Sequence, residues 1–182
     1  MSNIQAIHIA ETPEPRKVKN NCSVFKFPYT WKTWYGFWHN IKEIGYIIRA
    51  VKDRAVKGYC NCDVWNCGDS IEDYLVNILT EYRNRTFGWP DGEFATFEDW
   101  VAYIDEIIDL LEYARQDPED LSEYHELWVT RVLNRYDTEQ TEWDKELNKK
   151  YYEDVREITA KQKEALQKAF SMLSEHLKEI WW

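Results

Sequence analysis

Residues that form turns are scarce in this chain, which has only 6 Gly and 5 Pro among 182 residues. An all-β domain needs many turns, so this scarcity disfavours sandwiches and barrels and favours helix. No Gly/Ser/Pro-rich stretch that could serve as a linker follows residue 30. The predicted fold class is therefore all-α, a multi-helix bundle with a long C-terminal helix, as a single domain over residues 29–182 behind an N-terminal arm over residues 1–28.

Long apolar runs are also missing. No stretch approaches the ~20 apolar residues that a membrane span needs. The N-terminus lacks the charged start, apolar run and small-residue cleavage site of a secretion signal. The expected location is therefore cytosolic, with no membrane partner.

Motifs for catalysis are absent as well. The sequence contains no Ser nucleophile elbow, no phosphate-binding loop and no dinucleotide fingerprint. Asp105 and Asp109 lie one helical turn apart, as metal ligands can, but no Glu-x-x-His unit of di-iron bundles accompanies them. His125 has no partner nearby in sequence. An enzyme is thus the weaker hypothesis, and the sequence assigns no catalytic residue and no cofactor.

Positive charge is depleted in the middle of the chain. Residues 1–60 carry 10 basic and 4 acidic side chains, residues 61–142 carry 5 and 21, and residues 143–182 carry 8 of each, which gives the net charge of −10. Direct binding to nucleic acid is disfavoured, because phosphate contacts need clustered Lys and Arg. The acidic middle suits either a basic partner protein or a solvated surface.

The first half of the chain is dense in helix signals. Crowded aromatic residues lead into isoleucines at helical spacing, which predicts a first helix from about Thr33 or Asn40 to Lys57, ended by Gly58. Ser70, with an acid three residues later, predicts the start of a second helix. The expected core stripe of that second helix comprises Ile71, Tyr74, Leu75, Ile78 and Tyr82.

The second half continues in the same way. Thr96 is placed to cap a third helix, and Asp117 followed by Pro118 predicts the start of a fourth that reaches Tyr136. Residues 139–180 contain neither Gly nor Pro, which predicts one long helix, or two with a break near Ala160. A helix of this length exceeds what a chain of this size covers alone, which favours a homo-oligomer. The expected inward residues are Trp100, Ile104, Ile107, Ile108 and Leu111 in the third helix and Leu147, Tyr151, Val155, Ile158, Leu166, Phe170, Leu173, Leu177 and Ile180 in the last.

Three of the four cysteines lie in the segment GYCNCDVWNCGDS, residues 58–70. Zinc sites commonly use two close pairs such as Cys-x2-Cys, whereas the spacing here is Cys60-x-Cys62-x4-Cys67, with only Cys22 or His39 as a distant fourth ligand. A disulfide is disfavoured in a reducing compartment. No metal is predicted.

The alternative to a metal site is a structural turn. In this interpretation Gly58 ends the first helix and Asp63 begins a short segment that carries Trp65 into the core. The cysteines then serve as small buried apolar groups.

Several segments share their order of features with a known family. They are GYCNCDVWNCGDSIEDYLVNIL, FGWPDGEF, WVAYIDEIIDLLEYA and ALQKAFSMLSEHLKEIWW. Over about residues 40–182 the chain resembles a family of small uncharacterised bacteriophage proteins, with Tyr59, Asp63, Trp65, Gly88, Pro90 and Trp100 in the expected order. The second acid that follows the family's tryptophan is displaced here, which leaves Asp69 or Asn66 as its counterpart. The cysteines do not belong to the family pattern.

The resemblance implies a phage protein that acts in the host cytoplasm by binding. The favoured hypothesis is evasion of a host antiviral defence by sequestering a nucleotide immune signal, with aromatic rings on the base and arginines on the phosphates. The alternatives are an acidic nucleic-acid mimic that inhibits a host defence protein, and a phage structural or assembly protein that docks through Trp181 and Trp182. The ligand-binding candidates are Arg49, Arg54, Tyr59, Asp63, Trp65, Arg83, Arg85 and Trp89. The same tryptophans and arginines also suit a core and its rim.

Overall fold

The computed structural model describes residues 14–17, 32–65, 67–90, 92–133 and 141–180, and it places no β-strand in these ranges. The prediction of an all-α fold is confirmed. The elements are α1 (Trp34–Lys57), α2 (Asn61–Trp65), α3 (Cys67–Arg85), α4 (Phe97–Ala114), α5 (Pro118–Leu121), α6 (His125–Trp128), a π-helical turn (Val129–Leu133) and α7 (Glu142–His176). None of the helices in these ranges has both the length and the apolar character needed to cross a bilayer.

The chain divides into two compact units. One comprises Arg16–Glu81, and the other combines Met1–Pro15 with Tyr82–Trp182. The division falls within α3. The single domain over residues 29–182 stays a prediction, as does the homo-oligomer. Most of the N-terminal arm, and Trp181 and Trp182, lie outside the described residues.

α1 is delimited at both ends as its sequence predicts. The side chain of Thr33 accepts a hydrogen bond from the backbone N–H of Gly36 at 3.1 Å, so the helix starts at Trp34 and not near Asn40. Gly58 adopts the left-handed conformation with φ 83°, and its N–H donates to the carbonyl of Arg54 at 3.0 Å. Glycine suits this position because it carries no Cβ to clash in that conformation.

α3 starts earlier than predicted. It begins at Cys67, so Ser70 lies inside the helix and the prediction that it caps the helix is wrong. The expected core stripe is also wrong in part, because Ile71, Tyr74 and Ile78 are exposed. The buried face comprises Val76, Leu79, Thr80 and Arg83. Two stripes on α3 have helical spacing, and periodicity alone cannot tell which of them faces the core.

The Tyr82–Trp182 unit is built around the pairing of α4 with α7. Thr96 and Asp99 form a complete capping box at the start of α4, as the sequence predicts for Thr96. The five residues expected to face inward on α4 are at most 1% exposed: Trp100, Ile104, Ile107, Ile108 and Leu111. At the other end of α4, the side-chain amide of Gln162 on α7 donates to the carbonyls of Tyr113 and Gln116 at 3.2 and 2.8 Å.

α7 runs for 35 residues without interruption, so a break near Ala160 is wrong. Its core face differs from the expected one in the C-terminal half. Phe170 and Leu177 are 41% and 59% exposed. Their places are taken by smaller or polar residues, namely Gln162, Ala165, Ala169 and His176. Small side chains let two helices approach closely, which the apolar pattern of α7 does not reveal.

The predicted fourth helix is much shorter than expected. Asp117 caps it and Pro118 occupies its first turn, but α5 ends at Leu121 because Ser122 is extended, with ψ 129°. The hydroxyl of Ser122 instead donates to the carboxylate of Asp154 on α7 at 2.6 Å. A helix continuing to Tyr136 is therefore wrong.

Candidate functional site

A groove of about 610 Å³ lies in the Arg16–Glu81 unit, where the end of α1 turns through α2 into α3. The left-handed turn at Gly58 makes this reversal possible, because it ends α1 abruptly. The volume is within the ~300–1,000 Å³ of ordinary ligand pockets. The lining residues are Arg54, Gly58, Tyr59, Asp63, Val64, Cys67, Ser70, Ile71, Tyr74 and Leu75.

An ion pair between Arg54 and Asp63 forms the charged part of the lining. Nε of Arg54 donates to Oδ2 of Asp63 at 3.0 Å, and Nη2 contacts Oδ1. The backbone N–H of Cys60 donates to the same carboxylate at 2.7 Å. The hydrogen bond from Arg54 lowers the pKa of Asp63 to about 2, and the same contact raises the pKa of Arg54. Both groups are therefore charged at neutral pH, and their net charge is zero.

The remaining lining is mostly apolar and aromatic. Tyr59 is 53% exposed, and Ile71 and Tyr74, one turn apart on α3, are 48% and 61% exposed. Val64 adds aliphatic surface from α2. Phenol rings and aliphatic groups of this exposure offer flat contact area to a ligand at low cost in conformational entropy.

The cysteine turn borders this groove. Donor atoms of Cys60, Cys62 and Asp63 lie within 4.8 Å of one another, which is a set that can hold a metal ion. However, the carboxylate of Asp63 already accepts from Arg54 and from Cys60 N–H, so an ion would have to displace these bonds. Partial desolvation of its sulfur and a hydrogen bond with Cys60 raise the pKa of the Cys62 thiol, although the residue as a whole is exposed, and this disfavours the thiolate that metals bind.

The structure corrects two details of the predicted turn. Cys60 is buried as expected, but Cys62 and Cys67 are exposed. Trp65 is 88% exposed, so the prediction that it enters the core is wrong. The short α2 ends at Trp65, and none of the residues of α2 is buried.

A second group of metal-capable side chains occurs in the Tyr82–Trp182 unit. His176 is buried, with its Nδ1 2.6 Å from Oε2 of Glu179 and its Nε2 3.4 Å from Oε2 of Glu93. Donor atoms of Glu93, His176 and Glu179 lie within 4.8 Å of one another. Both carboxylates already contact nitrogens of the imidazole ring, so an ion would have to displace these contacts. Phe94, Trp100 and Tyr103 surround the imidazole with ring centroids 5.1 to 5.9 Å away.

The proposed site residues fall into different places. Arg54, Tyr59 and Asp63 line the groove together, whereas Arg49 and Trp65 belong to the same unit but do not line it. The other three belong to the Tyr82–Trp182 unit.

Among these three, Arg83 is buried. Its guanidinium donates to Asp105 at 3.0 to 3.3 Å and to the carbonyl of Glu14 at 2.5 Å. Arg85 is exposed at the end of α3, and Trp89 contacts Phe97 with ring centroids 6.3 Å apart.

The sequence missed the α3 side of the groove. The sequence pattern predicts Ile71, Tyr74 and Leu75 for the core, and it predicts no ligand role for Cys67 and Ser70 of α3 or for Val64 of α2. A second apolar stripe on α3, formed by Val76 and Leu79, is the sequence feature that indicates another possible core face and leaves Ile71 and Tyr74 free to line a groove. The sequence likewise gives no role to His176, whose partner Glu179 lies three residues further on, in the turn that follows α7.

Comparison with known proteins adds no relatives. A scan against protein-family models and searches of curated proteins and of solved structures found no significant match.

Proposed function

We propose that this chain is a non-enzymatic binding protein whose groove takes a planar aromatic ligand of the nucleobase type. The resemblance to small bacteriophage proteins supports a setting in which such binding sequesters a nucleotide immune signal of the host. The observation that carries the proposal is a groove of about 610 Å³ lined by two accessible phenol rings beside a neutral ion pair.

Stacking supplies the binding energy in this proposal. A base on an aromatic side chain gains about 1–3 kcal/mol. Tyr59 and Tyr74 each offer a ring, and Ile71 and Val64 offer aliphatic contact. Ser70 adds a hydroxyl that can donate to or accept from the edge of a base.

The charge of the groove favours the base over the phosphates. Arg54 is the only arginine or lysine among the described residues of the lining, and Asp63 already neutralises it. A phosphate would have to compete with Asp63 for the guanidinium, in a protein of net charge −10. We therefore expect the site to prefer a nucleoside or monophosphate to a triphosphate.

Mimicry of nucleic acid finds weaker support. The acidic face of α4 includes Asp105 and Glu106, but Asp105 binds Arg83 and Glu106 binds Lys168 at 2.5 Å. Cations of the same chain thus occupy carboxylates that a mimic would present to its target. The groove remains the better candidate.

Isothermal titration with adenosine, AMP and ATP tests the proposal. We expect saturable binding of adenosine and AMP and at least about tenfold weaker binding of ATP. Tyr74→Ala should weaken the binding of AMP by about tenfold, since one stacked ring is lost. The matched control is Tyr46→Ala, which removes a tyrosine that is 68% exposed on α1 but does not line the groove.

Two results would contradict the proposal. One is the absence of saturable binding for all three probes at millimolar concentration. The other is an equal loss of affinity in Tyr74→Ala and Tyr46→Ala. Native mass spectrometry of protein purified from cells with active nucleotide signalling should additionally show a bound mass of a nucleotide that is released on denaturation.

A further inference from the structure

The outer face of α1 carries an uninterrupted heptad pattern. Apolar residues follow one another at alternating steps of three and four, and all of them are exposed. The exposed fraction ranges from 37% for Ile41 to 75% for Trp34. We call this set the α1 seam; it comprises Trp34, Phe37, Ile41, Ile44, Ile48, Val51 and Ala55.

The α1 seam is not the side on which α1 is buried. The buried residues of the helix are Gly36, Asn40 and Ile47, which lie about 90° around the helix axis from the centre of the seam at about 100° per residue. α1 therefore contacts its own chain on one face and presents a second apolar face to solvent. The whole helix belongs to the Arg16–Glu81 unit.

The exposed area is sufficient for a protein interface. With the flanking Trp38, which is 47% exposed, the side chains of the seam expose on the order of 700 Å². The largest apolar patch of a typical monomer is about 300–600 Å². A standard interface buries about 800 Å² on each partner, so the α1 seam exposes nearly the area that one partner contributes to such an interface.

We propose that the α1 seam joins two copies of this chain, with the two α1 helices antiparallel about a two-fold axis. A heptad repeat sustained over three heptads, about six helical turns, is the pattern by which helices pack on other helices. A lipid surface requires only one apolar side, and it does not require alternating steps of three and four. In a two-fold dimer the same patch must fit itself, so the seam must be self-complementary.

The sizes of the side chains meet this requirement only in the antiparallel arrangement. Large residues stand at the N-terminal end of the seam and small ones at its C-terminal end. An alignment that places Ile44 opposite Ile48 of the second copy brings the two aromatic residues of the seam, Trp34 and Phe37, against small residues, which allows close packing. The other opposed positions are Ile41 with Val51, Phe37 with Ala55 and Trp34 with Gly58.

Trp38, Gly45 and Lys52 each follow a seam residue and form one flank of the seam. In the antiparallel pair this flank faces the same flank of the second copy. Trp38 comes opposite Lys52 of the second copy, where the ammonium can lie over the indole ring. Gly45 comes opposite its own counterpart, and nothing lies within 4 Å of where its Cβ would stand, so the two helices can approach there. A parallel pair would oppose two Trp34 rings at one end and two Ala55 methyl groups at the other, and it would align the two helix dipoles unfavourably.

Sedimentation equilibrium of the full chain tests the proposal. We expect a dimer whose dissociation constant rises at least about 100-fold in Ile44→Asp and in Ile48→Asp, because each variant brings two carboxylates into the seam. The matched control is Tyr46→Asp, which adds the same charge to α1 away from the seam and should change the constant by less than about threefold. Ile44 does not line the groove, so AMP binding by Ile44→Asp separates this proposal from the proposed function.

Cross-linking tests the orientation without a charged substitution. Ile44→Cys and Ile48→Cys proteins are mixed and oxidised, and the linked peptides are identified by mass spectrometry. The antiparallel dimer links position 44 to position 48 between the two variants, whereas a parallel dimer links 44 to 44 and 48 to 48. Peptides of the native cysteines are distinguished by their masses.

Three results would overturn the proposal. They are a monomeric wild-type protein at 100 μM, a dimer that Ile44→Asp leaves intact, and cross-links of 44 to 44 in place of 44 to 48. A monomer that floats with anionic phosphatidylserine vesicles, and loses this binding in Ile44→Asp, would assign the α1 seam to a lipid surface instead.

Discussion

The two units use their aromatic and aliphatic residues in opposite ways. In the Tyr82–Trp182 unit Trp100, Ile104, Ile107 and Ile108 have no exposed surface, and Tyr151 is 1% exposed. In the Arg16–Glu81 unit Trp34, Tyr46, Ile48, Val56 and Trp65 are each more than 60% exposed. Burial of apolar surface is the main source of stability, whereas a large exposed apolar surface marks a site of interaction. The Tyr82–Trp182 unit is therefore expected to supply most of the stability, and the Arg16–Glu81 unit to supply the surfaces for recognition.

The largest difference between the two units is expected when one tryptophan of each is replaced by alanine. Trp100→Ala removes a side chain that is 0% exposed and donates to the hydroxyl of Tyr82 at 3.2 Å. The free energy of unfolding of the Trp100→Ala variant should fall by about 3–5 kcal/mol. Trp65→Ala, at a position that is 88% exposed, should change it by less than about 0.5 kcal/mol. Urea denaturation followed by circular dichroism measures both, and similar losses would refute the contrast between the units.

The next largest effect concerns the buried ion pair of the Tyr82–Trp182 unit. Asp105→Asn removes the carboxylate beside Arg83, whose side chain is only 7% exposed. The loss in free energy of unfolding should be about 2–3 kcal/mol, because a guanidinium is left buried beside a neutral amide. Glu106→Gln serves as the control, since Glu106 and Lys168 are 48% and 57% exposed and a surface pair contributes about 0–1 kcal/mol. Equal losses in thermal denaturation would show that burial does not decide the effect.

The smallest effect concerns the ion pair in the groove. Asp63 has a pKa of about 2 in the folded chain, lowered from its usual 3.8 by the hydrogen bond from Arg54. A lowered pKa means that the contribution to stability is present above pH 4 and is lost as the pH falls from about 4 to about 2. With allowance for the partial exposure of both side chains, this contribution is about 1–2 kcal/mol.

Asp63→Asn should therefore lose about 1–2 kcal/mol at pH 7 and show a flatter dependence of stability on pH between 4 and 2. Urea titrations at pH 2, 3, 4 and 7 measure this difference. The exposed Asp69 provides the control Asp69→Asn, which should keep the acid dependence of the wild type. If Asp63→Asn keeps the acid dependence of the wild type, the Arg54–Asp63 pair does not stabilise the folded chain.

The parts of the fold that the sequence predicts well are those fixed by local chemistry. Thr33, Thr96 and Asp117 cap their helices with side-chain hydrogen bonds to nearby backbone N–H groups, and Gly58 ends α1 by its own conformation. These interactions span at most four residues, so the amino-acid order specifies them directly. The five residues that the sequence predicts to face inward on α4 are all buried, because this helix has a single apolar stripe, and Phe97 and Val101 complete its core face.

The parts that the sequence does not predict depend on contacts between distant residues. α3 has two stripes of helical spacing, and only tertiary packing decides that Val76 and Leu79 are buried while Ile71 and Tyr74 line the groove. α5 ends early because Ser122 bonds Asp154, which is 32 residues away. For the groove the same reason applies. Arg54 and Asp63 are close in sequence and are predicted as ligand-binding residues, whereas the pattern of α3 predicts that the opposite wall of the groove belongs to the core.

The contact of Gln162 with the end of α4 gives that helix a boundary that depends on another part of the chain. The last carbonyls of a helix have few partners within the helix. The amide donates to the carbonyls of Tyr113 and Gln116, which are 49 and 46 residues from the donor. A synthetic peptide of residues 96–116 would begin its helix correctly at Thr96 but would fray at its C-terminal end. Addition of a peptide that contains α7 should restore the last turn, so the two helices form a pair suited to fragment complementation.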